Sequence, residues 1–311
     1  MRCPTLKELP LPPSNKTGWP WTEDSPQLPD AMPDGSPWPK ISIITPSFNQ
    51  CQFIEETIRS VLLQGYPDLE YIIIDGGSTD DSVEIISKYE KWLKYWASEP
   101  DNGQGHAINK GFSRVTGELI SWLNSDDFYT RDALLHISRV FQENRGCAAV
   151  VGECRRVTPD GHLLNIIRPN KLTRDDIVYW GFDGGNIFYQ PATFMAVWAV
   201  KAAGNIREDL YICIDYEYWL RLMKEGIFVP CPHVVAEAII HPQAKTQAYR
   251  SKMLSERILV MIEQGYMDRA RLMIDDFCYH QQCFNNKLEK IKRYIPYWLI
   301  KLIKYLFNIT N

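Results

Sequence analysis

The sequence predicts an α/β fold built on a mostly parallel central sheet. Between residues 40 and 130, short β-branched runs alternate with segments of helical spacing, and the connections are short. Each of these runs also ends in polar residues or glycine, as strands do where a parallel sheet meets a ligand.

The elements follow in order. Residues 1–39 carry Pro10, Pro12, Pro13, Pro20, Pro26, Pro29, Pro33, Pro37 and Pro39. Proline fixes φ and removes a backbone donor, so an extended arm is expected rather than a strand. Trp19, Trp21 and Trp38 argue that this arm packs on the domain. Ile41–Thr45 reads as a buried strand ended by Pro46. Gln52–Gln64 has apolar residues at Phe53, Ile54, Ile58, Val61 and Leu62, a helical spacing closed by Gly65. Leu69–Asp75 is a second strand, Gly76-Gly77 a turn, and Ser78 with Asp81 resembles a helix cap, with the helix running to about Trp92. Tyr95–Ser98 is a short strand, Gly105–Val115 a helix, and Leu119–Leu123 a strand ending in Asn124-Ser125-Asp126-Asp127.

Composition excludes several classes. The 311 residues suffice for one large α/β domain or two small ones. A net charge of −4, with no dense Lys/Arg tract in the first 280 residues, argues against a nucleic-acid partner. Eight cysteines without a C-x-x-C pair argue against a zinc site or disulfide framework and for free thiols in a reducing cytoplasm. No secretory signal is recognisable, and no apolar window of about 18 residues suggests a membrane span.

Three constellations carry chemistry. Asp126 and Asp127, just past a strand, could hold a hard divalent cation through oxygen, or could simply form a turn before the next helix. Asp75-Gly76-Gly77-Ser78 offers a carboxylate to a base imide and a backbone that a ligand can approach closely, or merely a tight Asx turn. Thr45-Pro46-Ser47-Phe48-Asn49 adds hydroxyls and an aromatic face for a nucleoside.

The order and spacing of these three resemble the inverting family 2 glycosyltransferases of the GT-A fold, in the nucleotide-diphospho-sugar transferase superfamily. Gly103-Gln104-Gly105-His106-Ala107-Ile108-Asn109-Lys110-Gly111 resembles the segment that lies between them in that family. The resemblance implies a nucleotide-sugar donor held by Thr45, Pro46, Ser47, Asn49, Asp75, Gly76, Asn109, Lys110, Asn124 and Ser125. Asp126 would bind the metal that neutralises the diphosphate. Asn124 departs from the family, which often has Asp there, so first-shell metal contact is not expected of it.

The second half adds to the match. Gly185–Phe194 resembles the family's acceptor-side segment and places Gln190 by the acceptor. Ile214–Leu222 resembles its catalytic-base helix. Asp215 is the expected base, with Glu217 the second choice on the acceptor side. From the helix alone, Asp215 could equally be a cap at its positive end. His241-Pro242-Gln243-Ala244-Lys245-Thr246 resembles the closing motif. There His241 beside Asp126 would complete a mixed N/O site for Mn²⁺ or Mg²⁺.

The resemblance implies a GT-A domain over 40–250, with a donor half at 40–130 and an acceptor half at 131–250, followed by C-terminal helices over 251–311. Residues 285–311 interleave Lys287, Lys290, Lys292, Arg293, Lys301 and Lys304 with apolar residues. That pattern fits a surface lying on the inner face of an anionic membrane, or helices packed on the domain. The expected activity is sugar transfer from a nucleotide sugar, UDP-linked by preference, to a hydroxyl of a glycan or lipid-linked acceptor in polysaccharide biosynthesis. A sugar-1-phosphate nucleotidyltransferase is disfavoured because residues 45–53 contain no Gly, Lys or Arg. A non-catalytic nucleotide-sugar-binding subunit is the other alternative.

Overall fold

The computed structural model describes residues 1–169, 172–178, 188–241 and 244–292. Met1–Arg257 form one compact unit and Ile258–Asn311 a second.

The first unit opens with β1 (Ile41–Ser47), α1 (Ile54–Leu62), β2 (Leu69–Asp75), α2 (Ser82–Lys88), β3 (Tyr95–Ser98), α3 (Gln104–Phe112) and β4 (Leu119–Trp122). Strands β3, β2, β1 and β4 lie side by side and all parallel. Every residue of β1, β2 and β4 is buried, as expected for strands covered on both faces. Helix α3 lies close on β1 because position 111 is glycine: a Cβ there would stand 2.5 Å from the Ile44 side chain.

The chain continues through β5 (Asp127–Tyr129), α4 (Ala133–Glu143), β6 (Ala149–Val157), β7 (Leu163–Ile167), α5 (Arg174–Val178), β8 (Thr193–Ala196), α6 (Val197–Ala203), α7 (Ile214–Glu225) and β9 (Phe228–Ile239). This half is of mixed direction. Strand β8 pairs antiparallel with β4 and β6, β9 runs parallel to β6, and β5 pairs antiparallel with β9 at the far edge. The order is β3-β2-β1-β4-β8-β6-β9-β5, with β7 hairpinned on β6. β4 and β5 are thus close in sequence but separated by three strands in the sheet, so the sheet curls and residues 123–126 cross its ends.

Two local details differ from the sequence reading. Helix α2 begins at Ser82, not after Ser78, and ends at Lys88, with a separate 3-10 turn at Glu90–Trp92. Ser78 is unavailable as a cap because its hydroxyl is drawn to Asp75. Asp80 instead accepts the Ser82 amide.

The proline-rich segment is built into the first unit. Gly65 has φ +64°, and a Cβ there would stand 2.1 Å from the Pro26 carbonyl oxygen, so the arm backbone passes directly over it. Trp21 and Trp38 are buried, and the Trp19 indole donates to the Tyr129 carbonyl. The clasp is Arg59 of α1, fully buried. It donates to the carbonyls of Pro10, Pro20 and Trp21 and to the Tyr89 hydroxyl, with its guanidinium over the Trp21 ring. Arg59→Met would take the Arg59 donors from two buried carbonyls, Pro20 and Trp21, and from the part-buried carbonyl of Pro10. It should destabilise the protein by roughly 3 kcal/mol or more and expose residues 1–39 to limited proteolysis. An unchanged denaturation midpoint would mean the arm is held by its tryptophans alone.

Helices α8 (Lys245–Ala248), α9 (Arg250–Glu263) and α10 (Met267–Lys292) follow. Among the described residues no helix is long and apolar enough to cross a membrane. The basic surface expected at 285–311 lies outside the described side chains, as do Gly185, Asn186 and Ile187 of the acceptor-side segment.

Candidate active site

The polar residues predicted at strand ends converge at the carboxyl ends of β1, β2 and β4. The turn after β1 is made by Asn49 in the left-handed region, φ +52°, where Asn is among the few tolerated residues. Its amide donates to the Ser78 hydroxyl, and its side-chain oxygen accepts the Thr79 N–H at 2.9 Å. The loops after β1 and β2 are thereby tied together.

Asp75 is fully buried, and both of its oxygens are engaged. It accepts the N–H groups of Gly77 and Ser78 and the hydroxyls of Ser78 and Ser98. These bonds fix the turn after β2. The neighbouring carboxylate is Asp101, half-buried, with Oδ2 2.9 Å from where a Cβ on residue 76 would stand. Only glycine at 76 lets it come so near. Thr45 likewise faces the core rather than a ligand, its hydroxyl 3.0 Å from that of buried Tyr71. Pro46 is buried too, whereas Ser47 Oγ is buried without a hydrogen-bond partner among the described residues.

Beyond β4 a directed chain of amides runs across the site. The Lys245 ammonium donates to Gln104 Oε1 (3.0 Å), Gln104 Nε2 to Asn124 Oδ1 (2.7 Å), Asn124 Nδ2 to Gln190 Oε1 (3.1 Å), and Gln190 Nε2 to the Trp122 carbonyl (2.6 Å). The Asn124 oxygen is thus occupied by Gln104. Ser125 is buried, its carbonyl accepting from Thr57.

Asp126 and His241 meet. Strand β5 pairs Asp127 with Ala238 of β9, so the residue before β5 lies beside the end of β9, and His241 follows that end by two residues. His241 Nε2 lies 3.1 Å from Asp126 Oδ2, and the imidazole packs against Phe53 with ring centroids 5.2 Å apart. Asp126 remains partly exposed while His241 is buried. The adjacent Asp127 carboxyl is pushed well above the usual range by burial and by the Asp126 charge. Lys245 is lowered by burial, against the opposing pull of Asp126 and Asp101.

On the other side, α7 carries Asp215 in its first turn. Its aromatic face anchors it: Trp219 stacks on Trp122 of β4 at 5.0 Å and 12°, and Tyr218 meets Trp122 edge-on. Glu256 of α9 accepts the N–H groups of Tyr211, Ile212 and Cys213 at 2.8–3.0 Å, satisfying backbone donors at and just before the start of α7. Burial pushes the Asp215 carboxyl up to about 6, despite the Tyr216 amide hydrogen bond. Glu217, the second choice for the acceptor side, is tied into the scaffold. It is buried in a two-pronged ion pair with Arg221, at 2.7 and 2.9 Å, and Arg221 ties down the carbonyls of Ala203 and Asn205.

Asn109 and Lys110 also serve the scaffold. The Asn109 amide exchanges hydrogen bonds with the Ile206 backbone and reaches Glu208, while Lys110 pairs with Glu99 at 2.8 Å. Sequence reading missed Asp101, Gln104, Lys245 and Glu256. Gln104 and Lys245 stood inside quoted motifs, which was the available signal, and Glu256 offered none.

Comparison with known proteins follows the same lines. The family model for Glycosyl transferase family 2 matches residues 42–197. The chain is 36% identical over 194 residues to the putative teichuronic acid biosynthesis glycosyltransferase TuaG of Bacillus subtilis, covering 60% of this chain and 73% of that protein. It is 42% identical over 93 residues to an uncharacterized glycosyltransferase of Mycobacterium tuberculosis (strain H37Rv), 30% of this chain and 36% of the relative. Among solved structures, S. aureus TarS 1–349 in complex with UDP superposes with a TM-score of 0.57 at 18% identity, over 72% of this chain and 65% of TarS 1–349. Mannosyltransferase PcManGT from Pyrobaculum calidifontis, in complex with GDP-Man and Mn²⁺, gives 0.55 at 17% identity over 90% and 91% of the two chains.

Proposed function

Because the chain belongs to glycosyl transferase family 2, we propose that it moves a sugar, with inversion, from a nucleoside-diphosphate donor to a hydroxyl of a glycan or lipid-linked acceptor. The observation that carries this is the meeting of Asp126 and His241, 115 residues apart in sequence, at 3.1 Å. A neutral imidazole nitrogen and a carboxylate oxygen make a donor pair suited to Mn²⁺ or Mg²⁺. Among the described residues no third His, Cys, Asp or Glu joins them, so phosphate and water oxygens would complete the shell. Asp126 and His241 would hold a divalent cation there, which would supply positive charge against the diphosphate as it departs.

The residues divide the remaining work. Lys245, within electrostatic reach of Asp126 and Asp101, adds positive charge where the diphosphate lies. The amide chain through Gln104, Asn124 and Gln190 holds the floor of the site. Asp215, unprotonated above about pH 6, takes the proton of the acceptor hydroxyl as its oxygen attacks the anomeric carbon. Nucleobase reading falls to Asp101, which Gly76 admits and whose carboxylate can accept an imide N–H. UDP-linked donors are favoured, because uracil presents an imide N–H between two carbonyls; TarS 1–349 has been solved in complex with UDP.

The test is thermal stabilisation by UDP, GDP, dTDP and CDP, each with and without Mn²⁺. One nucleotide should stabilise in a metal-dependent way, by about 2.7 kcal/mol at a hundred times its dissociation constant. Asp101→Asn should weaken that nucleotide about tenfold, the value of one charge-assisted hydrogen bond. No response to any nucleotide would overturn the donor site. A full response in Asp101→Asn would remove that residue from it.

A further inference from the structure

Helix α9 presents two adjacent charged side chains to the start of α7, and their situations are opposite. Glu256 is fully spent on the backbone amides of residues 211–213. Arg257 is spent only in part. Its Nε and Nη2, carrying three of the five guanidinium N–H donors, are shielded from water and have no hydrogen-bond partner among the described residues. The guanidinium lies over the Tyr216 ring, 4.8 Å from its centroid. It acts on Asp215 through its charge, without forming an ion pair with it among the described residues.

Guanidinium donors that are shielded from water and unmet are rare in native chains and call for a partner. The surroundings specify its charge. Residues 245–257 carry Lys245, Arg250, Lys252 and Arg257 against a single carboxylate, Glu256, which the backbone consumes. Lys245 and Lys252 both lie over the Tyr211 ring, at 4.6 and 4.3 Å. Of these cations Lys245 feels Asp126 and Asp101, on the donor side, whereas Arg257 stands against Asp215 and Tyr216 in the first turn of α7, where the attacking hydroxyl must come.

We propose that Arg257 anchors an anionic group of the acceptor, a carboxylate or a phosphate monoester, beside Asp215. This rests on the assignment of Asp215 to the acceptor side. The rigid planar fork, held flat by Tyr216, matches the two oxygens of either group.

The experiment uses the full chain saturated with Mn²⁺ and the stabilising nucleotide, so that the donor site is filled. Methyl phosphate and methyl glucuronide are then titrated, with sodium chloride at equal ionic strength and methyl glucoside as controls. One of the two anions should raise the melting temperature saturably, and which one does identifies the source. Arg257→Gln should weaken that anion tenfold or more while keeping the nucleotide response, and Arg257→Lys should retain part of the affinity. With no anion present, Arg257→Gln should melt no lower than the wild type, since it removes unmet donors. Equal responses to the anions and to sodium chloride would overturn the proposal, as would an anion response unchanged in Arg257→Gln. Loss of the nucleotide response in Arg257→Gln would overturn it too, by moving the residue to the donor diphosphate. A wild type that answers to no nucleotide would instead overturn the donor site proposed above.

Discussion

Asp215→Asn should lower sugar transfer by about a thousandfold, within the range expected for loss of a general base, while leaving metal-dependent nucleotide stabilisation unchanged. The substitution keeps the size of the side chain and its acceptor for the Tyr216 amide, so the helix and its Glu256 tether should stay in place. The pH profile gives an independent reading. The wild-type rate should rise as pH passes through about 6 and then level off, because the carboxyl is pushed up to that value by burial and works only when unprotonated.

Stability should move the opposite way. A carboxyl that titrates near 6 when folded and near 3.8 otherwise binds its proton more tightly in the folded chain. Its contribution is therefore present below pH 4 and lost as pH rises through 6. Asp215→Asn never ionises. It should match the wild type at pH 4 and exceed it at pH 8, by at most about 3 kcal/mol at 1.4 kcal/mol per pKa unit. Denaturation midpoints at the two pH values measure this. A variant that retains transfer would remove Asp215 as the base, and one that loses both activity and stability would make it a structural residue.

Asp126→Asn should abolish the difference that Mn²⁺ makes to nucleotide stabilisation and reduce transfer by about a thousandfold, as removal of a metal-held charge from a departing diphosphate implies. His241→Asn should act on the same quantity. The two residues touch, so the double variant should be far less impaired than the sum of the single losses. Additive losses would mean that they serve separate ligands. Isothermal titration of Mn²⁺ in the presence of nucleotide would give the affinities directly.

How far this was readable in advance depended on the kind of signal each residue carried. The strands of the donor half announce themselves, because β-branched runs such as Ile41–Thr45 and Leu69–Asp75 are buried on both faces and punctuated by Pro46 and Gly76. Direction in the second half is not written in such runs. Strand β5 has only three residues, and its place at the far edge is decided by pairing with β9.

The same divide runs through the site. Asp126, His241 and Asp215 stand in spaced motifs. Asp101, Glu256 and Arg257 stand in none, and only tertiary packing brings them to Gly76 and to the start of α7. Thr45 shows the limit of reading a strand end. With all seven residues of β1 buried, alternation cannot say which face a hydroxyl takes, and Tyr71 decides it. The ion pair of Glu217 is legible in the sequence, since Arg221 four residues on is the spacing of a helical pair.

The curl that sets β5 against β9 also fixes a timetable. Strands β3, β2, β1 and β4 come from one continuous stretch and can pair as soon as residue 122 is made. The partner of Asp126 arrives 115 residues later. The carboxylate that ties the start of α7 arrives later still, at position 256. Contacts so far apart along the chain form late and slowly. A ribosome-bound chain ending before residue 241 should therefore hold a paired donor half and yet bind no cation at Asp126. Neither metal nor nucleotide can then guide the early steps of folding. They can act only as a seal on the finished molecule, so an excess of either should slow unfolding far more than it speeds refolding.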